Sequence, residues 1–135
     1  MDKAKSKILV IGASGYIGKS IVEASALAGH QTFALIRRAS LSDPAKAQTL
    51  AKFSSLGVNF VHGYLYDHES LLNAVKLVDV VVSTLFRYLI PHQLNIIAAI
   101  KEAGNVNVLL FTLNYTFFFF SMLNIVLLMG FYSIS

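Results

Sequence analysis

The stretch "KILVIGASGYIGKSIVEASALAGH", residues 7–30, decides the fold, because it sets Gly12, Gly15 and Gly18 between a short apolar run and an amphipathic one. Residues 7–11, KILVI, are an apolar run of strand length, the pattern of a strand buried on both faces. Residues 16–28 carry Ile17, Ile21, Val22, Ser25 and Ala28 at helical spacing, with Gly29 as a stop. A glycine-rich turn that ends the first strand and opens the first helix is where a phosphate-binding loop belongs. Gly12 permits the tight turn, Gly15 lets the backbone approach a pyrophosphate, and Gly18 lets the helix pack close to the sheet. The helix N-terminus adds free N–H groups and partial positive charge. A glycine triplet also serves a tight turn that holds nothing. Here the strand before it and the helix after it supply the context that the motif requires, and they point to a dinucleotide held on Gly12-Ala13-Ser14-Gly15-Tyr16-Ile17-Gly18.

Beyond this stretch the pattern repeats. TFALI (32–36) reads as a second strand. Ser42-Asp43-Pro44 is a helix start, since Ser42 or Asp43 can cap free amides and Pro44 has none to leave unpaired. Leu50, Phe53 and Leu56 give that helix its apolar face, and Gly57 ends it. VNFVH (58–62) is a third strand. Asp67 caps a short helix with Leu71, Leu72 and Val75 facing inward. DVVVST (79–84) is a fourth strand, Pro91 starts a helix carrying Leu94, Ile97, Ile100 and Lys101 up to Gly104, and VNVLLFT (106–112) is a fifth strand. Strands alternating with helices call for a parallel sheet covered on both faces.

Arg37 follows the second strand. A domain for NAD usually has Asp or Glu there, accepting from the ribose 2′-hydroxyl; an arginine favours the 2′-phosphate of NADP. Arg38 beside it either stacks on the adenine or is solvated.

Several blocks together, GASGYIGKSIVEASALAGH, LIRRASLSDPAKA, GVNFVHGYLYDHESL, VDVVVSTL and IIAAIKEAGNV, resemble the isoflavone-reductase-like family. These are plant NADPH-dependent reductases of phenylpropanoid metabolism in the NmrA-like, atypical branch of the short-chain dehydrogenases. They include isoflavone, pinoresinol–lariciresinol and phenylcoumaran benzylic ether reductases and eugenol synthases. The resemblance covers about residues 5–106. It implies NADP phosphates on the Gly12–Gly18 loop and places Arg37 and Lys46 at the 2′-phosphate. Two departures stand at the carboxyl edge of the sheet and crowd it. Tyr64 replaces an acidic residue near the adenine side, where the family commonly reads GDLYD, and Leu85-Phe86-Arg87 follows Ser83-Thr84 where a small residue is common. Family members continue past this point with Pro-Ser-Glu-Phe-Gly, a catalytic lysine and a substrate-binding region. The resemblance therefore implies no catalytic residue in this sequence, and a phenylpropanoid-type substrate only for a longer form.

Composition narrows the rest. The 135 residues carry 11 basic and 7 acidic side chains, a net charge of +4, and no cysteine, so disulfides, thiolate metal sites and cysteine nucleophiles are excluded. The basic residues form no stripe interleaved with aromatics, which argues against nucleic acid. His30, His62, His68 and His92 show no metal-ligand spacing on one face, so each is assigned a surface or capping role and no metal is expected. Tyr16 is assigned to packing within the loop, and Lys101 to a solvated helix face. MDKAKSK lacks the apolar region of a signal peptide, and a cytoplasmic location is expected.

No residue beyond Glu102 is charged, and mean hydropathy is high for the whole chain at +0.64. Three readings of the tail stand open: a membrane anchor through about residues 108–132, a further packed element, or translation into a retained intron. The anchor has the length, but Asn107, Asn114, Asn124 and the run of phenylalanines weaken it as a helix. The abrupt end of the resemblance favours the intron. The expected architecture is an α/β doubly wound parallel sheet, an incomplete Rossmann domain over residues 5–112 with an apolar tail over 113–135. Its expected role is the NADP(H)-binding part of a reductase. The alternatives are a non-enzymatic NADP-binding regulatory module and a membrane-anchored fragment.

Overall fold

The structure, a computed structural model, describes residues 6–84, 90–104 and 107–110. Its strands are β1 (Lys7–Ile11), β2 (Gln31–Ile36), β3 (Asn59–His62), β4 (Val80–Ser83) and β5 (Asn107–Leu110). The helices are α1 (Tyr16–Leu27), α2 (Arg38–Leu41), α3 (Ala47–Ser55), α4 (His68–Val75) and α5 (Ile90–Ala103), with a 3-10 turn at Pro44–Lys46. The five strands form one parallel sheet in the order β3-β2-β1-β4-β5.

Strand β1 is the centre. Its alternating side chains, Ile8 and Val10 on one face and Leu9 and Ile11 on the other, are all buried. That is why the run is apolar throughout rather than in alternation. Ile8, Val10, Ala34, Ile36, Val80 and Val82 pack against α1 and α3 through Ile17, Ile21, Val22, Leu50 and Phe53. Leu9, Ile11 and Val81 pack against α4 and α5 through Leu71, Ala74, Val75, Ile96, Ala99 and Ile100. Right-handed crossovers dictate this division. The chain first moves outward from β1 to β3 with its helices on one face, then returns to β4 and β5 with its helices on the other. The order reverses beside β1, and ligand crevices in such sheets open at the carboxyl ends of the strands there.

Local signals set the ends of the elements. Asp43 accepts a bond from Ala45 N (3.0 Å) ahead of Pro44, and Asp67 caps α4 by accepting from Ser70 N (3.3 Å). Helices α1 and α3 end in the same motif. Gly29 N–H donates to the Ala26 carbonyl and His30 N–H to that of Ser25; Gly57 and Val58 repeat this on Ser54 and Phe53. The residue after the glycine is thereby folded back onto the core. This corrects the surface role expected for His30, which is only 5% exposed and takes the slot that Val58 takes after α3. Thr32 Oγ1 donates to the His30 carbonyl (3.1 Å) and lies 2.7 Å from Ser25 Oγ, a buried tie between α1 and β2.

Of the apolar residues that the sequence places on α5, only some meet the sheet. Ile96, Ala99 and Ile100 face the sheet, Ile97 is half-buried, and Leu94 is 64% exposed. Leu94 lies two residues from Ile96, roughly 200° around the helix axis, and so points away from the seam. Helix α2 was not expected from the sequence pattern. The residues 113–135 and Leu85-Phe86-Arg87 lie outside the described residues. Among the described residues no helix is long and apolar enough to cross a membrane.

Candidate functional site

The glycine turn is built by close contacts that leave no room for a side chain at Gly12 or Gly18. Gly12 has φ 83°, and a Cβ there would come within 2.6 Å of Thr84 Oγ1. A Cβ on Gly18 would sit 1.8 Å from the Gly12 carbonyl oxygen, so α1 crosses the turn at its closest approach through that residue. Gly15 N–H donates to the same carbonyl (3.1 Å). Thr84, at the end of β4, donates its hydroxyl to the carbonyls of Ile11 (2.9 Å) and Gly12 (3.2 Å). The turn is thus clamped from the neighbouring strand at the point where the strand order reverses.

Helix α1 begins on Gly15 with no side-chain cap and no acidic residue in its first turn. The helix start therefore presents the positive end of its dipole with no acidic side chain in its own first turn to offset it.

A cavity of about 330 Å³ opens beside this turn, at the carboxyl ends of β1, β2 and β3. Gly12, Ala13 and Ser14 form one wall. The opposite side carries Arg37, directly after β2, with Ser40 and Lys46. The 3-10 turn started by Asp43 and Pro44 brings Lys46 back toward α2, where its ammonium donates to Ser40 Oγ (3.3 Å). The ion pairs among the described residues are Lys52–Glu23 and His68–Glu102, so the Arg37 and Lys46 charges are not neutralised by an acid. Gly63, Tyr64, Leu65 and Tyr66, after β3, complete the rim above Leu35. A Cβ on Gly63 would come within 2.4 Å of Leu35 Cδ1, so the glycine leaves Leu35 in place as the floor.

Of the residues singled out in the sequence, Gly12, Ala13, Ser14, Arg37 and Lys46 line the cavity, and Gly15 is exposed at the head of α1. Gly18 and Ile17 support the turn from beneath, the latter in the core with Ile8 and Val10. Tyr16 does not pack as expected. It is 69% exposed, with the Lys19 ammonium 5.7 Å from its ring centre, because the first residue of α1 points away from the sheet. Tyr64 stands at the carboxyl edge as a wall of the cavity. Thr84, Ser40 and Tyr66 were missed. A hydroxyl residue at the end of the strand next to a glycine turn is the signal that finds Thr84. Lys101 is exposed on α5, as expected.

This arrangement agrees with what the chain is similar to. The model of the NmrA-like family matches residues 4–114. The chain belongs to the NmrA-like family. Among members with curated descriptions, an isoflavone reductase homolog from Solanum tuberosum is 63% identical over 102 residues, covering 76% of this chain and 33% of that protein. The solved structure of AtPrR2 with NADP+ and (+)-pinoresinol is 45% identical with a TM-score of 0.71, over 76% of this chain and 35% of that one. Leucoanthocyanidin reductase from Vitis vinifera, solved with NADPH, is 29% identical with a TM-score of 0.69, over 74% and 33%. The chain spans about a third of the length of the curated relatives it matches.

Proposed function

We propose that residues 5–112 are the NADP(H)-binding domain of a reductase that acts on phenylpropanoid-derived compounds. One observation carries this reading: the cavity joins a glycine turn and a helix start without a side-chain cap on one wall to two cations, Arg37 and Lys46, that have no acidic partner among the described residues, on the other. The first wall suits a pyrophosphate, which needs close backbone approach. The second suits a further phosphate on the adenosine ribose, with Ser40 donating beside Lys46. The relatives solved with NADP+ and NADPH support the choice of dinucleotide, and their names support the substrate class.

When bound, NADPH supplies the hydride. Gly12, Ala13 and Ser14 would hold its pyrophosphate, and Arg37, Ser40 and Lys46 its adenosine phosphate. Reduction also needs an acceptor held over the nicotinamide and its developing charge stabilised. The family resemblance assigns those tasks to a part of the family fold that follows the NADP-binding domain. The chain by itself is therefore expected to bind NADPH more tightly than NADH and to oxidise neither with a phenylpropanoid acceptor. Titration by nicotinamide fluorescence, followed by a turnover assay, tests both parts. Equal affinity for the two cofactors removes the phosphate assignment. Turnover above a no-protein control, abolished by Gly15→Val, overturns the view that catalysis lies elsewhere.

A further inference from the structure

The rim after β3 is not explained by phosphate binding. Tyr64 and Tyr66 meet there edge to face, with ring centres 5.3 Å apart and planes at 61°. Tyr64 is 41% exposed and lines the cavity above Leu35 and Leu65. Its backbone is fixed: the Tyr64 N–H donates to Ser70 Oγ (3.1 Å), and its carbonyl accepts from Asp67 N (3.0 Å). The carboxylate closest in sequence, Asp67, is turned to α4, where it accepts from Ser70 N. Among the described residues lining the cavity there is no carboxylate and no carboxamide. The polar side chains Ser14, Arg37, Ser40 and Lys46 belong to the phosphate walls.

We propose that Tyr64, braced by Tyr66, stacks on the adenine of the cofactor, so that the base is held by its face and its exocyclic amine is not read. The proposal rests on the cofactor reading above and deepens it. A flat heteroaromatic ring fits a cavity end with an apolar floor and an aromatic wall, and stacking is tolerant of base identity because every base has a π-face. A site that accepts a hydrogen bond from the amine would instead reject a base lacking it, since the acceptor would be left unpaired.

The test titrates NADPH and its hypoxanthine analogue against the chain and against Tyr64→Ala and Tyr64→Phe, with a thermal melt on each to confirm folding. The chain is expected to bind the two dinucleotides within about threefold of each other. Tyr64→Ala is expected to lose on the order of tenfold for both, and Tyr64→Phe to retain both. Rejection of the hypoxanthine analogue by tenfold or more, or Tyr64→Ala binding within twofold of the parent, overturns this proposal and leaves the cofactor reading intact. Failure of the folded chain to bind NADPH at all overturns both.

Discussion

The two walls of the cavity are built differently. On the β1 side the surface is the turn Gly12-Ala13-Ser14, whose course is set by backbone contacts: a Cβ on Gly18 would lie 1.8 Å from the Gly12 carbonyl. On the β2 and β3 side the surface is side chains carried on short turns, Arg37, Lys46 and Tyr64, each partly in solvent. The first wall is part of the fold, since Gly12, Gly18 and Thr84 hold β1, α1 and β4 together. The second is attached to it. A change in the first wall should therefore cost stability and binding together, and a change in the second should cost binding alone.

Gly18→Val is the strongest way to break this contrast. The added atoms meet backbone that cannot give way, so a loss of about 3 kcal/mol or more is expected, read as a lower melting temperature together with loss of NADPH binding. A variant that melts like the parent would show that the turn is looser than its geometry.

Arg37→Ala is expected to leave the melting temperature in place and weaken NADPH by about tenfold or more, with NADH nearly unchanged, because a charge-assisted bond to phosphate contributes about 1.5–3 kcal/mol. Equal weakening of both cofactors would place Arg37 elsewhere than at the 2′-phosphate.

A double-mutant cycle sharpens the first wall. Gly12→Ala is expected to cost about 1–3 kcal/mol, from its positive φ and from the approach of Thr84 Oγ1. Thr84→Ala relieves the second cause while losing about 1 kcal/mol of hydrogen bonding. Chemical denaturation of the pair should give less than the sum of the single losses; strict additivity would mean that strain alone governs Gly12.

The smallest effect is expected from removing residues 113–135. NADPH affinity should stay within about twofold and soluble yield should rise, since an uncharged aromatic segment promotes association. Loss of the folded domain would mean that the segment packs on the sheet, and a full chain released only by detergent would favour the anchor.

The first wall was legible in the sequence because its demands are local. Gly12, Gly15 and Gly18 lie within one turn and one helix start, and the apolar runs on either side show which they are. Arg37 was legible from its place after β2, whereas Lys46 came only through family resemblance, because a lysine in a first helical turn carries no signal of its own. Thr84 was not legible as a clamp, since its partners Ile11 and Gly12 are distant in sequence and meet it only once β4 lies beside β1. His30 was misjudged for a related reason. Its polarity suggested the surface, but the turn at Gly29 fixes its direction before its chemistry matters. Leu94 erred the other way, its apolarity suggesting a face that the pitch of α5 turns away from the sheet.

The reversal of strand order beside β1 also bears on how the chain is made. β1 emerges first, yet one of its two neighbours, β4, is joined to it across 72 residues, as in the bond from Lys7 N to Asp79 Oδ2. At about 5–20 residues per second of synthesis, the central strand waits roughly 4–15 seconds with one edge open. During that wait the Leu9 and Ile11 face lacks the cover of α4 and α5. Ribosome-bound chains are therefore most in need of chaperone shielding before Ser83 has left the exit tunnel, and the unit that can form earlier is β1, α1, β2, α3 and β3.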